Sequence, residues 1–237
     1  MLLNAFVRFA HGKVFVKLAE LKELLGEGAF TTPEKVLSKP GCPTGLPSLD
    51  NFLLWKGFPK GALSLITGEV GLGGTHLWLQ AAAALTQANK WAAWINGADS
   101  ELNGAALRKV KLDKLLWISS PVDVKQKLWA LQEVCSLSLF DLVGCDLEEH
   151  RLKAGQILKL KKIALRYQTA LVLFSRTQKS HPFFSLAMEM TSKNLCVVRA
   201  LHRPTPHLIE RKELYADTLP QLAAGRSAFS RRKLSDV

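Results

Sequence analysis

The sequence predicts an α/β protein with a mostly parallel central β-sheet flanked by helices, and with a helical arm at its N-terminus. Short apolar runs alternate with amphipathic helical patterns, which favours parallel strands joined by right-handed crossovers. The first core run leads into a glycine cluster that precedes an Ala-rich helical segment. With 237 residues, 48% of them hydrophobic, the chain can bury a substantial core.

The chain is expected to have three regions. Residues 1–43 form an N-terminal arm and linker, in which residues 13–26 have the pattern of a short amphipathic helix. Residues 44–215 form the α/β core, and residues 216–237 form a basic tail. The tail either contacts a partner or DNA backbone or only keeps the protein soluble. Its basic residues are Arg226, Arg231, Arg232 and Lys233.

The predicted strands are short apolar or alternating runs bounded by turn residues. They are residues 62–67, 90–96, 115–119, 139–146, 170–174, 195–201 and 207–210, of which the last two are expected to be antiparallel. Helices are predicted where apolar residues recur at helical spacing. They are residues 77–85, 104–110, 123–136 and 148–167.

The last of these helices is expected to have two different faces. The buried stripe is Ile157, Leu160, Ala164 and Tyr167. The basic stripe is Lys159, Lys162 and Arg166. This basic stripe is a candidate contact for DNA or for a partner protein.

The glycine cluster lies between the first core strand and its helix, as a phosphate-binding loop does. On the pattern G-x-x-x-x-G-K-[ST], Gly68 and Gly73 are the glycines and Thr75 is the hydroxyl residue, but the lysine position is Gly74. Backbone N–H groups could still hold an anion, while the lost charged contact is worth about 1.5–3 kcal/mol. We therefore expect no efficient ATP hydrolysis, with residual ATP and Mg²⁺ binding or a ligand-free turn as the alternatives.

An acidic residue completes this candidate nucleotide site. The apolar strand 139–146 ends at Asp146, the position at which P-loop proteins hold Mg²⁺. No catalytic residue and no required cofactor are expected. No metal site is expected either, because the cysteines lack C-x-x-C spacing and are interpreted as reduced core residues. They are Cys42, Cys135, Cys145 and Cys196.

The basic charge of the chain is unevenly distributed. The net charge is +12, and residues 1–147 hold 15 Lys/Arg against 13 Asp/Glu, whereas residues 148–237 hold 17 against 7. This asymmetry favours a polyanion or an acidic protein surface as partner, and a merely solubilising face is the alternative. No apolar run reaches membrane-spanning length and the N-terminal stretch is a poor signal peptide, so a cytoplasmic location is expected.

The order of elements resembles the RecA recombinase family over residues 44–212. The resemblance lies in the segment before the core, the G-x-P-x-G turn, the second and third core strands, the acidic strand and the strand with the nucleotide-sensing loop. These are residues 44–53, 57–61, 94–100, 115–121, 140–146 and 171–178. The resemblance implies a RecA-like core.

Three chemical positions of that family differ in this chain. The lysine position is Gly74, the catalytic glutamate position is near Ala98, and the sensor glutamine position is near Ser175 or Arg176. The chain is similar to small RecA-like proteins of the ImuA type. This implies a non-catalytic scaffold for SOS-linked DNA repair and translesion synthesis, with RecA and a Y-family polymerase homologue as partners.

Several alternatives remain open. One is a SulA-type inhibitor of cell division. Another is a weak DNA-dependent ATPase that uses a displaced lysine, such as Lys60, Lys179 or one from a neighbouring subunit. A third is a DNA-binding RecA paralogue without catalysis.

Overall fold

The computed structural model describes residues 6–9, 12–15, 41–95, 109–119, 123–200 and 205–210. The chain divides into two units, residues 1–39 and residues 40–237. In the first unit, β1 (Phe6–Phe9) and β2 (Gly12–Phe15) form an antiparallel hairpin. The start of the helix predicted at 13–26 is therefore wrong, since β-branched and aromatic residues favour a strand. Residues 16–26 lie outside the described part.

The second unit is built on an eight-stranded sheet in the order β10-β9-β8-β3-β7-β6-β4-β5. Its strands are β3 (Ala62–Thr67), β4 (Trp91–Ile95), β5 (Leu115–Ile118), β6 (Phe140–Asp146), β7 (Ala170–Ser175), β8 (Leu186–Met190), β9 (Asn194–Ala200) and β10 (His207–Glu210). The strands from β8 to β5 are parallel, and β9 and β10 extend the sheet antiparallel. The predicted α/β class and mostly parallel sheet are confirmed, and the architecture is compatible with a RecA-like core.

Helices cover both faces of this sheet. The helices of the described residues are α1 (Pro47–Phe52), α2 (Gly74–Gln87), α3 (Val124–Ser136) and α4 (Ala154–Tyr167). One apolar cluster joins α2 to Ile66 of β3, and the other joins α3 and α4 to Leu63 and Leu65. Alternate side chains of β3 thus enter opposite layers, as the two-residue period of a strand requires.

The structure corrects several details of the predicted elements. Strand β8 was not predicted, and α4 begins at Ala154 rather than at residue 148. The start is late because Glu148 has φ 53° and accepts a hydrogen bond from the Arg176 N–H, which holds this stretch against the end of β7. Trp129 lies in an apolar periodic run of the sequence, which favours a core position, but it is 66% exposed. Of the helix predicted at 104–110, only residues 109 and 110 are described, and they are not helical.

Two tryptophans occupy the layer between α2 and the sheet. The rings of Trp78 and Trp94 are buried, with centroids 4.6 Å apart. Gly144 of β6 lies directly beneath them, and a Cβ atom there would lie 2.4 Å from Trp78 Nε1 and 2.4 Å from Trp94 Cε3. Glycine is therefore required at this position by packing.

Candidate functional site

A cavity of about 290 Å³ opens where β3, β6, β7 and β8 end. This is the edge at which open α/β sheets bind ligands. The loop between β3 and α2 forms much of the lining, together with residues at the ends of the other three strands. The structure brings the predicted nucleotide-site residues together here; they are Gly68, Gly73, Thr75 and Asp146.

The loop has a backbone that only glycines adopt easily. Gly73 has φ 101° and precedes the first turn of α2 without a side-chain cap, so the N–H groups of that turn are the donors that an anion would use. Gly68 has φ 150°, and a Cβ atom there would lie 2.8 Å from both Cβ and the carbonyl oxygen of Met190 in β8. Packing against β8 is therefore sufficient to explain why glycine occupies this position of the motif, and no bound ligand is needed for that explanation.

The position of the missing lysine is the first residue of α2. A Cβ atom on Gly74 would lie 3.3 Å from Cδ1 of Phe174 and 3.8 Å from Cγ2 of Ile66. No lysine lines the cavity among the residues that the structure describes. Arg176 is the arginine of the lining, and its Nη1 lies 3.0 Å from Glu149 Oε1 in an ion pair. Among the described residues, the cavity therefore keeps backbone donors and lacks the lysine of an active P-loop.

The two proposed displaced lysines lie elsewhere. Lys60 pairs with Asp141 at the start of β6, which is the opposite end of the strand from Asp146. Lys179 is exposed and lines a neighbouring cavity of about 600 Å³, not the one at the loop. In the described part of the chain, neither side chain is placed to replace the lysine of the motif.

Besides Glu69, one more acidic residue in the described part of the chain lines the cavity, and it is Asp146 at the end of β6. Its Oδ1 accepts a hydrogen bond of 2.8 Å from the Glu148 N–H. Burial raises the pKa of Asp146, and this effect exceeds the opposing influence of the Glu148 N–H and of Lys127. The carboxylate is therefore partly desolvated, which favours either a proton or a cation at this position.

Asp146→Asn is expected to raise stability near neutral pH and to flatten its pH dependence. Folding raises the pKa of Asp146 above its usual value of 3.8. At pH values between the unfolded and the folded pKa, the carboxyl group therefore keeps its proton in the native state and has released it in the unfolded chain. The free energy of unfolding therefore falls as pH rises from the unfolded pKa through the folded one, and stays lower above both. Asparagine retains an oxygen for the Glu148 N–H and does not titrate.

Urea denaturation between about pH 4 and about pH 7 measures this effect. The exposed Asp113 supplies the matched control, Asp113→Asn. If the free energy of unfolding changed equally with pH in wild type and Asp146→Asn, the raised pKa of Asp146 would be contradicted.

A buried lysine that sequence reasoning missed lies behind Asp146. The side chain of Lys127 in α3 is 0% exposed, and its Nζ donates to the Asp146 carbonyl oxygen at 2.9 Å. It also lies 3.1 Å from Glu148 Oε1. A sequence signal existed, since Lys127 lies three residues after Val124 and four before Leu131 on the apolar face of the helix.

Ser175, one of the two residues near the sensor glutamine position, takes part in hydrogen bonds that connect two loops. Ser175 Oγ donates to the Glu148 carbonyl oxygen at 3.3 Å and accepts from the Gln178 N–H at 3.0 Å. The Gln178 side chain accepts from the Leu152 N–H and donates to the Lys179 carbonyl oxygen. These bonds fasten the loop after β7 to the chain before α4. Ala98, the other altered position, lies outside the described residues.

The predicted basic contacts do not line the cavity. Lys159, Lys162 and Arg166 are exposed on α4, on one face of the sheet. Of the predicted buried stripe, Ile157, Leu160 and Ala164 are buried and Tyr167 is half-buried. The four basic tail residues lie outside the described part of the chain; they are Arg226, Arg231, Arg232 and Lys233.

The four cysteines are unpaired, three are buried, and burial raises the pKa of Cys42 to about 11. Within the described ranges, no group of three or more His, Cys, Asp or Glu could hold a metal ion. Nor does any described helix have the length and apolar character needed to cross a membrane.

No protein-family model matches the chain, and a search of curated proteins finds no match.

Proposed function

We propose that the protein is a non-catalytic RecA-like scaffold in the bacterial response to DNA damage. The observation that carries the proposal is the replacement of the motif lysine by Gly74 in a loop that otherwise keeps the glycines of a phosphate-binding loop. A P-loop fold without its charged contact loses transition-state stabilisation, about 100- to 1000-fold in rate for one such donor. Binding is then a better-supported role than hydrolysis.

The partners follow from the resemblance to the ImuA type. They are RecA and a Y-family polymerase homologue, brought together in the cytoplasm during SOS-induced translesion synthesis. The eight-stranded sheet supports such a role, since helices on both of its faces offer separate surfaces. Residual ATP or Mg²⁺ at the cavity is not needed for this function.

Calorimetric titration against the RecA of the same host, with and without ATP and single-stranded DNA, tests the proposal. We expect salt-tolerant binding with a Kd on the order of micromolar, about −8 kcal/mol. No binding to RecA in any nucleotide state would overturn the scaffold assignment and favour the division-inhibitor alternative.

A steady-state ATPase assay tests the rival enzyme. We expect wild-type hydrolysis at background, and we expect Asp146→Ala to leave it unchanged. Activity that depends on Asp146 would instead establish an ATPase that works without the motif lysine.

A further inference from the structure

Helices α3 and α4 leave an apolar groove between them on the sheet face that they share. The groove has a volume of about 290 Å³. Leu160 is buried at its base, Leu128 and Ile163 are half-buried along it, and Trp129 of α3 is 66% exposed beside them. An exposed tryptophan next to an apolar groove is the kind of surface that gains free energy when a partner covers it.

The charged residues of the groove are all positive. Lys125 and Lys159 line it, on α3 and α4 respectively. Lys162 and Arg166 are exposed further along α4, and the chain has no Asp or Glu between Glu149 and Glu189. Two acidic residues belong to α3 or its N-cap, but neither lines the groove; they are Asp123 and Glu133.

The size, shape and charge of the groove favour one kind of binding partner. With a volume of about 290 Å³, the groove has room for one or two apolar side chains of a larger partner. Two adjacent helices form a linear groove of the kind that accepts an amphipathic helix. The lysines favour acidic residues at the margins of that helix. Nucleic acid fits less well, because the rest of the lining is four apolar side chains and two glutamines rather than a row of basic side chains that bind phosphates.

We infer that the α3–α4 groove binds an acidic amphipathic helix of a partner protein, with Trp129 as its main apolar contact. This inference deepens the proposed function and rests on it for the partner's role, since it gives the scaffold a docking surface that shares no lining residue with the cavity at the β3–α2 loop. Exposed Trp residues of this kind commonly dominate binding energy at interfaces.

The probe is a fluorescein-labelled helical peptide with Leu and Phe at positions i, i+3, i+4 and i+7 and Glu elsewhere. A second peptide has Lys in place of Glu. Fluorescence anisotropy with the full-length protein is expected to show binding of the acidic peptide and not of the basic one. Trp129→Ala and Lys159→Glu are each expected to weaken this binding by about tenfold or more.

Matched controls come from the antiparallel edge of the sheet. Leu208 is 62% exposed on β10, and Lys193 is exposed before β9. Leu208→Ala and Lys193→Glu are expected to leave the peptide affinity unchanged. The double variant Lys125→Glu/Lys159→Glu is expected to bind the basic peptide instead, which a loss of folding would not produce.

Three outcomes would overturn the inference. They are equal binding of both peptides, unchanged acidic-peptide affinity in Trp129→Ala, and binding at the groove of a single-stranded DNA oligonucleotide in place of the peptide. Titration with RecA separates this inference from the proposed function. Peptide binding without RecA binding would remove the scaffold role alone. RecA binding to wild type and Trp129→Ala alike, without peptide binding, would remove the groove inference alone.

Discussion

Gly144→Ala is expected to lower the free energy of unfolding by about 3 kcal/mol, the upper end of the usual cost of overpacking. The added Cβ atom would lie 2.4 Å from ring atoms of both Trp78 and Trp94. Neither ring can move aside easily, because both are buried and Trp94 also packs against Phe174, with centroids 5.0 Å apart. Urea denaturation followed by tryptophan fluorescence measures the loss.

Gly155→Ala is the control for this variant. Gly155 lies in α4, and a Cβ atom there would meet nothing within 4 Å. Alanine in a helix is better than glycine by about 0.5–1 kcal/mol, so this variant is expected to be slightly more stable than wild type. A loss of less than about 1 kcal/mol in Gly144→Ala would show that the tryptophan layer adapts.

Lys127→Met is expected to cost about 2–3 kcal/mol of unfolding free energy. Methionine has a similar length, but it removes the ammonium from the Asp146 carbonyl oxygen and from Glu148. Breaking a fully buried ion pair costs about 3–5 kcal/mol. We expect less here because the Glu148 side chain is 36% exposed and can regain water. Urea denaturation of the single variant measures this cost.

Lys125→Met provides the comparison within the same helix, since Lys125 is exposed. It is expected to change stability by no more than about 0.5 kcal/mol. The double variant Lys127→Met/Glu148→Gln is expected to recover part of the loss, because no unpaired charge remains. Equal small effects of Lys127→Met and Lys125→Met would show that the buried pair adds nothing to stability.

Most of the sheet was predictable because its strands are short and strongly apolar. Ala62–Thr67 was predicted with the bounds that the structure has, since buried parallel strands appear as apolar runs between turn residues. Leu186–Met190 was not predicted. Its composition, Leu-Ala-Met-Glu-Met, has no β-branched residue, and its strand conformation depends on pairing with Ser64–Thr67 of β3.

Only those features of the site that follow from the order of the strands could be predicted from the sequence. Gly68 and Asp146 had to lie at one edge because parallel strands end together. The position of Lys127 on the apolar face of α3 indicates burial, but its contacts with Asp146 and Glu148 depend on how α3 packs against the end of β6. The hydrogen bond from the Leu152 N–H to the Gln178 side chain likewise depends on the path of the chain between β6 and α4.

The contact between Gly68 and Met190 has an evolutionary consequence. Packing against β8 penalises any side chain at Gly68, whether or not a nucleotide binds nearby. A sequence that stops binding nucleotide would therefore still be expected to keep glycine here. The presence of Gly68 is evidence of close packing against β8, and by itself it is no evidence that a nucleotide binds.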